Sequence, residues 1–186
     1  MAVQARRRLF TIDEFHRMAA AGIFREDDRV ELLAGEIVQK TPIGSRHAAC
    51  VSRLNRLLYE RLGSECIVRV QDPIRLDDYS EPQPDLAVVK PRGDFYSDAH
   101  PTAAEVLLVI EVADTSADAD RGEKAPLYAR SRIPETWIVD LDGRVVDVYT
   151  RPHMTGYQQH QRFGSGDRLS SERLPALTLS VADLVG

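Results

Sequence analysis

The stretch "VLLVIEVAD", residues 106–114, decides the fold class of this chain. Its nearly continuous apolar residues are typical of a strand that is buried on both faces of a sheet. Glu111 interrupts the run, and a buried carboxylate is costly unless it is paired or bound to a cation. The stretch therefore predicts a central strand that carries one functional acid. The structural alternative is that Glu111 lies at an exposed strand end and pairs with an arginine.

Helical and strand patterns flank this central strand on both sides. Helices are predicted at residues 10–22, where Thr11 and Glu14 have capping-box spacing and Gly22 ends the helix, at 45–63, and at 118–132 despite Pro126. Strands are predicted at 66–71, 72–78, 85–90 and 156–163, in hairpins around Ala34-Gly35 and Asp142-Gly143, and a short turn or helix closes the chain. This order predicts a single α/β domain over residues 1–186, with a mixed central β-sheet flanked by helices and residues 1–25 as an N-terminal helical extension.

The composition is that of an ordinary globular protein with an acidic balance. The 24 Lys and Arg residues against 29 Asp and Glu residues give a formal net charge of −5. This balance argues against coating nucleic acid by bulk electrostatics, but it permits a local basic patch. No apolar run approaches the roughly 20 residues of a membrane span, and the basic N-terminus lacks an apolar signal segment. We therefore expect a cytoplasmic protein with no membrane partner, in which Cys50 and Cys66 stay reduced.

Two carboxylates on neighbouring predicted strands suggest a metal site. Asp85 follows Pro84 at the start of one strand, and Glu111 lies near the end of the next. Hard oxygen ligands of this kind suit Mg²⁺ or Mn²⁺. Lys124 lies on the helix that follows, where it could orient or help deprotonate a metal-bound water. Tyr128 shares its face and is a candidate for contact with the substrate. These are the parts needed to hydrolyse a phosphodiester.

Each residue also has a plain structural explanation. Asp85 alone could cap a turn after the proline, and Lys124 alone could be a solvated helix lysine. Arg121, three residues before Lys124, is a candidate for contact with the substrate. Asp120 is better explained as a helix cap than as a metal ligand. The prediction of a site rests on the combination of residues and elements.

Five separated segments resemble the bacterial Uma family of restriction-endonuclease-like proteins, within the PD-(D/E)XK nuclease superfamily. They are "RVELLAGEIVQKTPIGSRHA", "EPQPDLAVV", "VLLVIEVAD", "DRGEKAPLYARSRIPETWIVDL" and "GDRLSSERLPALTLSVADL". The resemblance covers nearly the whole chain and implies a restriction-endonuclease-like core. The sequence departs from the superfamily pattern at Ala113, where that pattern has lysine, and the resemblance makes Lys124 the candidate for a migrated lysine.

The resemblance also implies roles for single residues. Asp85 and Glu111 would be metal ligands, and Lys124 would be the catalytic lysine. Glu31 matches an early acidic position that can assist at the metal site. His47 stands where it could approach a phosphate, and Gln83 would line the cleft beside Asp85. Glu31 as an ordinary strand acid and His47 as a partly buried helix histidine remain alternatives.

Three functions remain open on the sequence. The first is a metal-dependent endonuclease with DNA as the expected substrate. The second is a non-cleaving nucleic-acid-binding or assembly module that retains the nuclease fold, which the displaced lysine and the acidic charge favour. The third is a hydrolase of smaller phosphate esters. Exposed sheet edges and the nuclease class make a homodimer the expected assembly.

Overall fold

A computed structural model describes residues 7–25, 27–114 and 116–186 of the chain. Within them the strands are β1 (Val30–Leu33), β2 (Glu36–Gln39), β3 (Ile67–Val70), β4 (Leu86–Val89), β5 (Val106–Ala113), β6 (Glu135–Asp140), β7 (Val145–His153), β8 (Gly156–Gly164), β9 (Arg168–Ser170) and β10 (Thr178–Ser180). The helices are α1 (Ile12–Ala20), α2 (Ser45–Leu62), α3 (Ala117–Ala119), α4 (Ala125–Arg130) and α5 (Val181–Val185). A π-helical turn (Asp120–Lys124) joins α3 to α4, and two 3₁₀ turns lie at Gly63–Glu65 and Ala103–Glu105.

The strands from β3 to β8 form one mixed sheet in the order β3-β4-β5-β6-β7-β8. Only β5 and β6 are parallel, and the other neighbours are antiparallel. The parallel pair needs a crossover, and the segment with α3, the π-helical turn and α4 supplies it. The predicted α/β class with a mixed central sheet is confirmed.

Helices cover both faces of this sheet. On one face, α2 and α5 contribute residues such as Leu54, Leu58 and Leu184 to a large core with Trp137 of β6. On the other, Tyr128 of α4 packs with alternate residues of β4 and β5. Strand β5 is buried on both faces, as its apolar run predicted, and this burial places Glu111 inside the protein.

A smaller apolar cluster joins α1 to the β1–β2 hairpin. Ile12, Phe15 and Leu32 are buried together. The predicted capping box is confirmed, because the Glu14 N–H donates to Thr11 Oγ1 at 3.2 Å and the Thr11 N–H donates to Glu14 Oε2 at 3.1 Å. The hairpin turn is also confirmed at Ala34 and Gly35, both with positive φ. Residues 1–6 of the expected N-terminal extension lie outside the described residues.

The strand predicted at residues 72–78 is wrong. Gln71 has a φ of 55°, so the extended chain of β3 stops there. The following loop then closes on itself, with Ile74 N–H donating to Pro82 O and Leu76 N–H to Ser80 O. Among the described residues, the only strand-like pairing of residues 72–78 is a single bridge between Arg75 and Thr102. The chain turns here to bring residues 81–85 back towards the sheet.

The crossover helix and the second hairpin differ in detail from expectation. Helical structure begins at Ala117, and the π-helical turn precedes Pro126, which has no N–H to donate. The β6–β7 hairpin forms as predicted, but the residue with positive φ in its turn is Arg144. Gly143 instead donates its N–H to Asp140 Oδ1 at 2.7 Å, where an added Cβ would collide with that carboxylate. No helix within the described ranges is long and apolar enough to cross a membrane.

Candidate active site

Asp85 is fixed by neighbouring elements rather than by a local turn. Its Oδ2 accepts from the N–H of Val112 at 2.9 Å and lies 2.9 Å from Nε2 of His47. Its Oδ1 accepts from Nε2 of Gln71 at 3.2 Å. Burial raises the pKa of Asp85, but His47, the Val112 N–H and the charge of Lys40 together outweigh it, and the net pKa lies below the usual value. Asp85 is therefore an ionised acid at the β4–β5 junction, and the turn-cap explanation does not describe its contacts.

Glu111 is almost completely buried beside Asp85. Its Oε1 accepts from the hydroxyl of Tyr128 at 2.6 Å and from Nζ of Lys124 at 3.2 Å. Its Oε2 lies 3.4 Å from the backbone N of Asp85. Burial raises the pKa of Glu111 to about 7, although the charge of Lys124 acts to lower it. Glu111 thus pairs with a lysine inside the protein and not with an arginine at an exposed strand end.

Lys124 joins two of the carboxylates. Its Nζ lies 3.1 Å from Oε1 of Glu31 and 3.2 Å from Oε1 of Glu111. Burial lowers the pKa of Lys124, but the charges of Glu111, Glu31 and Asp120 raise it by more than burial lowers it. The net pKa is therefore above the usual value. The ammonium is therefore a permanent charge at neutral pH. Its side chain is only 12% exposed, which is not the position of a solvated helix lysine.

Glu31 reaches the same group from the β1–β2 hairpin. Its Oε2 accepts from the N–H of Gln83 at 3.0 Å, while its Oε1 contacts Lys124. Glu31 is 2% exposed, so it is more than an ordinary strand acid on the surface. The hairpin thereby forms one wall of the site.

Asp120 is a further buried acid that sequence reasoning assigned to a helix cap. It is the first residue of the π-helical turn, and its Oδ2 accepts from Ser116 Oγ at 3.1 Å. Burial raises its pKa, with Lys124 acting in the opposite direction. Its spacing of four residues from Lys124, on the same helical face, was the signal that could have identified it.

These residues surround one open cavity of about 350 Å³. The hairpin, the loop at residues 41–44, the first turn of α2 and the π-helical turn form its walls. Its acidic lining residues are Glu31, Asp85, Glu111, Asp114, Asp120 and Glu123, and its lysines and arginines are Arg29, Lys40 and Lys124. The acids outnumber these cations by six to three.

The structure places three predicted site residues away from this cavity. Gln83 contributes its backbone, which contacts Glu31 and Lys40, and its side chain is not part of the lining. Arg121 turns to the far side of the π-helical turn, where it pairs with Asp140 and Asp147. The expectation that Arg121 and Gln83 side chains line the cleft is therefore not met.

Tyr128 is fully buried and also lies outside the lining. Its hydroxyl is occupied by Glu111, so it holds that carboxylate and does not face a substrate. His47 does line the cavity, and its Nδ1 is buried without a hydrogen-bond partner in the described part of the chain. The hydrogen bond that His47 donates to Asp85 is the largest effect and raises the pKa of His47, although burial opposes its protonation.

The donor chemistry of the cavity suits a hard divalent cation. Carboxylate oxygens are the ligands that Mg²⁺ prefers, and one or two of them suffice when water and phosphate complete the shell. The raised pKa values of Glu111 and Asp120 indicate a site that is short of positive charge. Among the described residues, however, no three His, Cys, Asp or Glu side chains converge closely enough to hold an ion by themselves. The ammonium of Lys124 lies between Glu31 and Glu111 instead.

Comparisons with known proteins agree with this architecture. No curated protein matches the chain. Among solved structures, it is similar to a protein from Anabaena variabilis ATCC 29413 described as "a putative nuclease belonging to DUF820". The identity is 18%, the TM-score is 0.73, and the match covers 95% of this chain and 97% of the other. At this identity the likeness shows the fold alone. The profile of the Uma2 family, described as "Putative restriction endonuclease", matches residues 12–182, and the chain therefore belongs to the Uma2 family.

Proposed function

We propose that the protein is a metal-dependent endonuclease that hydrolyses phosphodiester bonds of DNA. The observation that carries the proposal is a group of three buried carboxylates at an open cavity, in which Glu31 and Glu111 contact Lys124 and Asp85 lies beside Glu111. A fold gains nothing from burying like charges together, because each ion is costly to desolvate. Such a cluster at a cavity is typical of a catalytic site.

Asp85 and Glu111 are the residues that would hold Mg²⁺ or Mn²⁺. Their carboxylates enter the cavity from adjacent strands, with the N of Asp85 3.4 Å from Oε2 of Glu111. A bound divalent ion would lower the pKa of a coordinated water and neutralise charge on the phosphoryl group. It would also supply the positive charge that the acidic lining lacks.

Lys124 acts in this proposal as a charged group and not as a base. With Glu111 and Glu31 raising its pKa, its ammonium can hold a water or offset charge on a phosphate, but it does not accept a proton. Glu31 on the β1–β2 hairpin pairs with the ammonium, and the hydroxyl of Tyr128 holds Glu111 by a hydrogen bond. His47 presents its free Nδ1 as a donor to a phosphate oxygen when it is protonated.

The direct test is a cleavage assay with DNA and RNA substrates in Mg²⁺ and in Mn²⁺. We expect cleavage that falls by at least about a hundredfold in Asp85→Asn and in Glu111→Gln. Glu135→Gln is the matched control. Glu135 is equally buried, but it bonds Trp137 and Ser171 outside the cavity. Cleavage that survives both site substitutions, or that no divalent metal supports, would overturn the proposal.

A second candidate is a module that keeps the nuclease fold without cleaving. The observation in its favour is that Lys124 lies between Glu31 and Glu111 and no group of three ligands is preassembled in the described residues. Calorimetric titration with Mn²⁺ separates the two functions. Binding that is lost in Asp85→Asn supports the enzyme, and absence of binding supports the inert module. A product assay on mononucleotide esters distinguishes the hydrolase of small phosphate esters from both.

We also propose a homodimer, in which paired sites could reach both strands of a duplex. The six-stranded sheet ends in edge strands β3 and β8, and exposed Tyr59 and Phe95 flank a hollow beside β3. Analytical ultracentrifugation measures the assembly. A monomer at all concentrations would contradict this part of the proposal.

A further inference from the structure

Lys40 is a cavity residue whose ammonium forms no ion pair with a carboxylate within the described residues, although its charge helps to lower the pKa of Asp85. It follows β2 at the rim of the cavity and is half-buried. Its Nζ donates to the backbone carbonyl of Gln83 at 2.6 Å. That carbonyl fixes the ammonium in place without cancelling its charge. An ammonium has three N–H donors, so two remain for another acceptor.

The chain has three lysines, and the other two show what is unusual about Lys40. Lys124 is balanced by Glu31 and Glu111. Lys90 also donates to a backbone carbonyl, that of Ala104 at 2.8 Å, but it lies on the surface outside the cavity lining. Only Lys40 combines a fixed ammonium, an unbalanced charge and a place in the cavity.

Further donors lie on the same side of the cavity. Arg29 lines it beside Lys40, and within the described ranges its Nη1 donates only to the backbone carbonyl of Thr41, at 3.3 Å. The two residues are joined because the Lys40 N–H donates to Arg29 O at 2.7 Å. Helix α2 begins at the same wall, where Gly44 provides no side-chain cap and the first turn has no acid. The N–H groups of that turn carry the positive end of the helix dipole, and the carboxylate of Asp114, which pairs with Arg46, lies beside Gly44.

The cavity is therefore divided by charge. Glu31, Asp85, Glu111 and Asp120 are buried and form an acidic floor, whereas the partly exposed Arg29 and Lys40, with the start of α2, form a basic rim. Two less buried acids, Asp114 and Glu123, also line the cavity. A cation belongs on the floor, and an anion that only accepts hydrogen bonds belongs at the rim. Phosphate oxygens are such acceptors, and fixed cations bind them with charge-assisted hydrogen bonds.

We infer that Lys40 and Arg29 form a phosphate subsite that grips the backbone of the nucleic-acid strand beside the reacting phosphodiester. The inference rests on the proposed function, since it places the substrate in the same cavity. It assigns substrate binding to the hairpin, whereas the metal ligands come from the central sheet. The subsite reads no base, so it binds any sequence equally.

The test measures binding of a short fluorescein-labelled DNA duplex, and of RNA of the same sequence, by anisotropy without divalent metal. Lys40→Gln is expected to weaken binding roughly 5- to 20-fold at low salt and to reduce the slope of log affinity against log salt by about one. Arg29→Gln should act in the same direction. Lys90→Gln is the matched control, because it removes the same charge and the same kind of hydrogen bond outside the cavity, and it should change neither quantity.

A merely structural role for Lys40 predicts a different result. If Lys40 only braced Gln83 beside Asp85, its loss would weaken Mn²⁺ binding as well, whereas loss of a nearby cation should leave Mn²⁺ affinity equal or higher. An unchanged salt slope in both Lys40→Gln and Arg29→Gln overturns the inference even if the wild-type protein cleaves DNA. Lys40-dependent binding by a protein that does not cleave supports it while the proposed catalysis fails. No binding of either probe overturns it as well.

Discussion

Two groups of buried acids in this molecule differ in how many positively charged side chains contact them. Asp147 is completely buried on β7, yet three side chains bind it: Arg121, Arg162 and His160. In the cavity, the ammonium of Lys124 contacts Glu31 and Glu111, and its charge also acts on Asp120.

The pKa values record this difference. Burial raises the pKa of Asp147, but the hydrogen bonds from Arg162, His160 and Arg121 outweigh burial, and the net pKa is lowered. Burial also raises the pKa of Glu111, and there Lys124 does not compensate it fully, so the pKa stays at about 7. The first group is a completed ion cluster that holds elements together. The second is short of cations, which is the feature on which the proposal of a metal site rests.

The largest expected effect on stability comes from removing the ammonium of Lys124. Lys124→Met removes the ammonium that contacts Glu31 and Glu111 and should lower the free energy of unfolding by about 3–5 kcal/mol at pH 8. The loss should be smaller at pH 5, where Glu111 is protonated. Urea denaturation at the two pH values measures it. Lys90→Met is the control and should change stability by less than about 0.5 kcal/mol. An equal loss of unfolding free energy at pH 8 and pH 5 would contradict the interpretation that the cavity acids lack positive charge.

Removing the acid of the completed cluster should cost less. Asp147→Asn leaves Arg121 with Asp140 but deprives Arg162 of its partner, so we expect a loss of about 1–3 kcal/mol at pH 8. Because the folded pKa of Asp147 is lowered, its stabilisation is present above the unfolded value of 3.8 and is lost as the pH falls through the folded value. The deficit should therefore shrink in acid. Calorimetric Mn²⁺ affinity should be unchanged, and a lost affinity would mean that the two groups are one site.

Neutralising an acid in the cavity should stabilise the protein. The folded pKa of Glu111 is raised from 4.5 to about 7, so its contribution to stability is present below pH 4.5 and is lost as the pH rises through 7. Glu111→Gln escapes that loss and should gain on the order of 1–2 kcal/mol at pH 8 and little at pH 5. Thermal unfolding at the two pH values is the measurement.

Glu105→Gln supplies the contrast for that gain. The pKa of Glu105 is lowered, first by its hydrogen bond from the Thr102 backbone, so this substitution should not stabilise the protein. Destabilisation of Glu111→Gln at pH 8 would show that Lys124 compensates the acid fully.

The smallest effect is expected at the rim of the completed cluster. His160 contacts Asp147 at 2.7 Å, but its side chain is 45% exposed, and two arginines bind the same carboxylate. Because exposed ion pairs contribute little, His160→Gln should change the free energy of unfolding by less than about 0.5 kcal/mol. Chemical denaturation at pH 6 measures it. A large loss would mean that Asp147 depends on each of its partners.

Local patterns predicted most of the fold. The apolar run of β5, the capping box at Thr11 and the turn at Ala34-Gly35 depend on residues that are near one another in the chain, and each was found where expected. The error at residues 72–78 has the opposite cause. Those residues alternate like a strand, but the backbone hydrogen bonds of Ile74 and Leu76 are taken within their own loop. A strand forms only where a neighbouring strand accepts and donates its backbone hydrogen bonds, and the local pattern of residues does not show whether such a neighbour exists.

The candidate site divides in the same way. The sequence supplied Asp85, Glu111 and Lys124, because acids that interrupt apolar strands stand out when burial is costly. It misassigned Asp120 and Arg121, which are neighbours on the π-helical turn, because the side on which each residue falls depends on that turn. It also did not identify Lys40. That residue stands out because its ammonium forms no ion pair within the described residues, and this can be seen only in the folded protein.

By itself, then, the sequence determined the layers of the fold and the identities of the central acids, since periodicity and desolvation cost act along the chain. Only the tertiary structure decided how charge is shared among them. In the folded protein, three side chains bind Asp147, whereas the single ammonium of Lys124 contacts both Glu31 and Glu111. Lys40 donates to a backbone carbonyl at the rim of the cavity. The physical reason is that Coulomb interactions depend on distances in space, and residues separated by 80 or 90 positions in the chain, such as Glu31 and Glu111 or Lys124, meet only after folding.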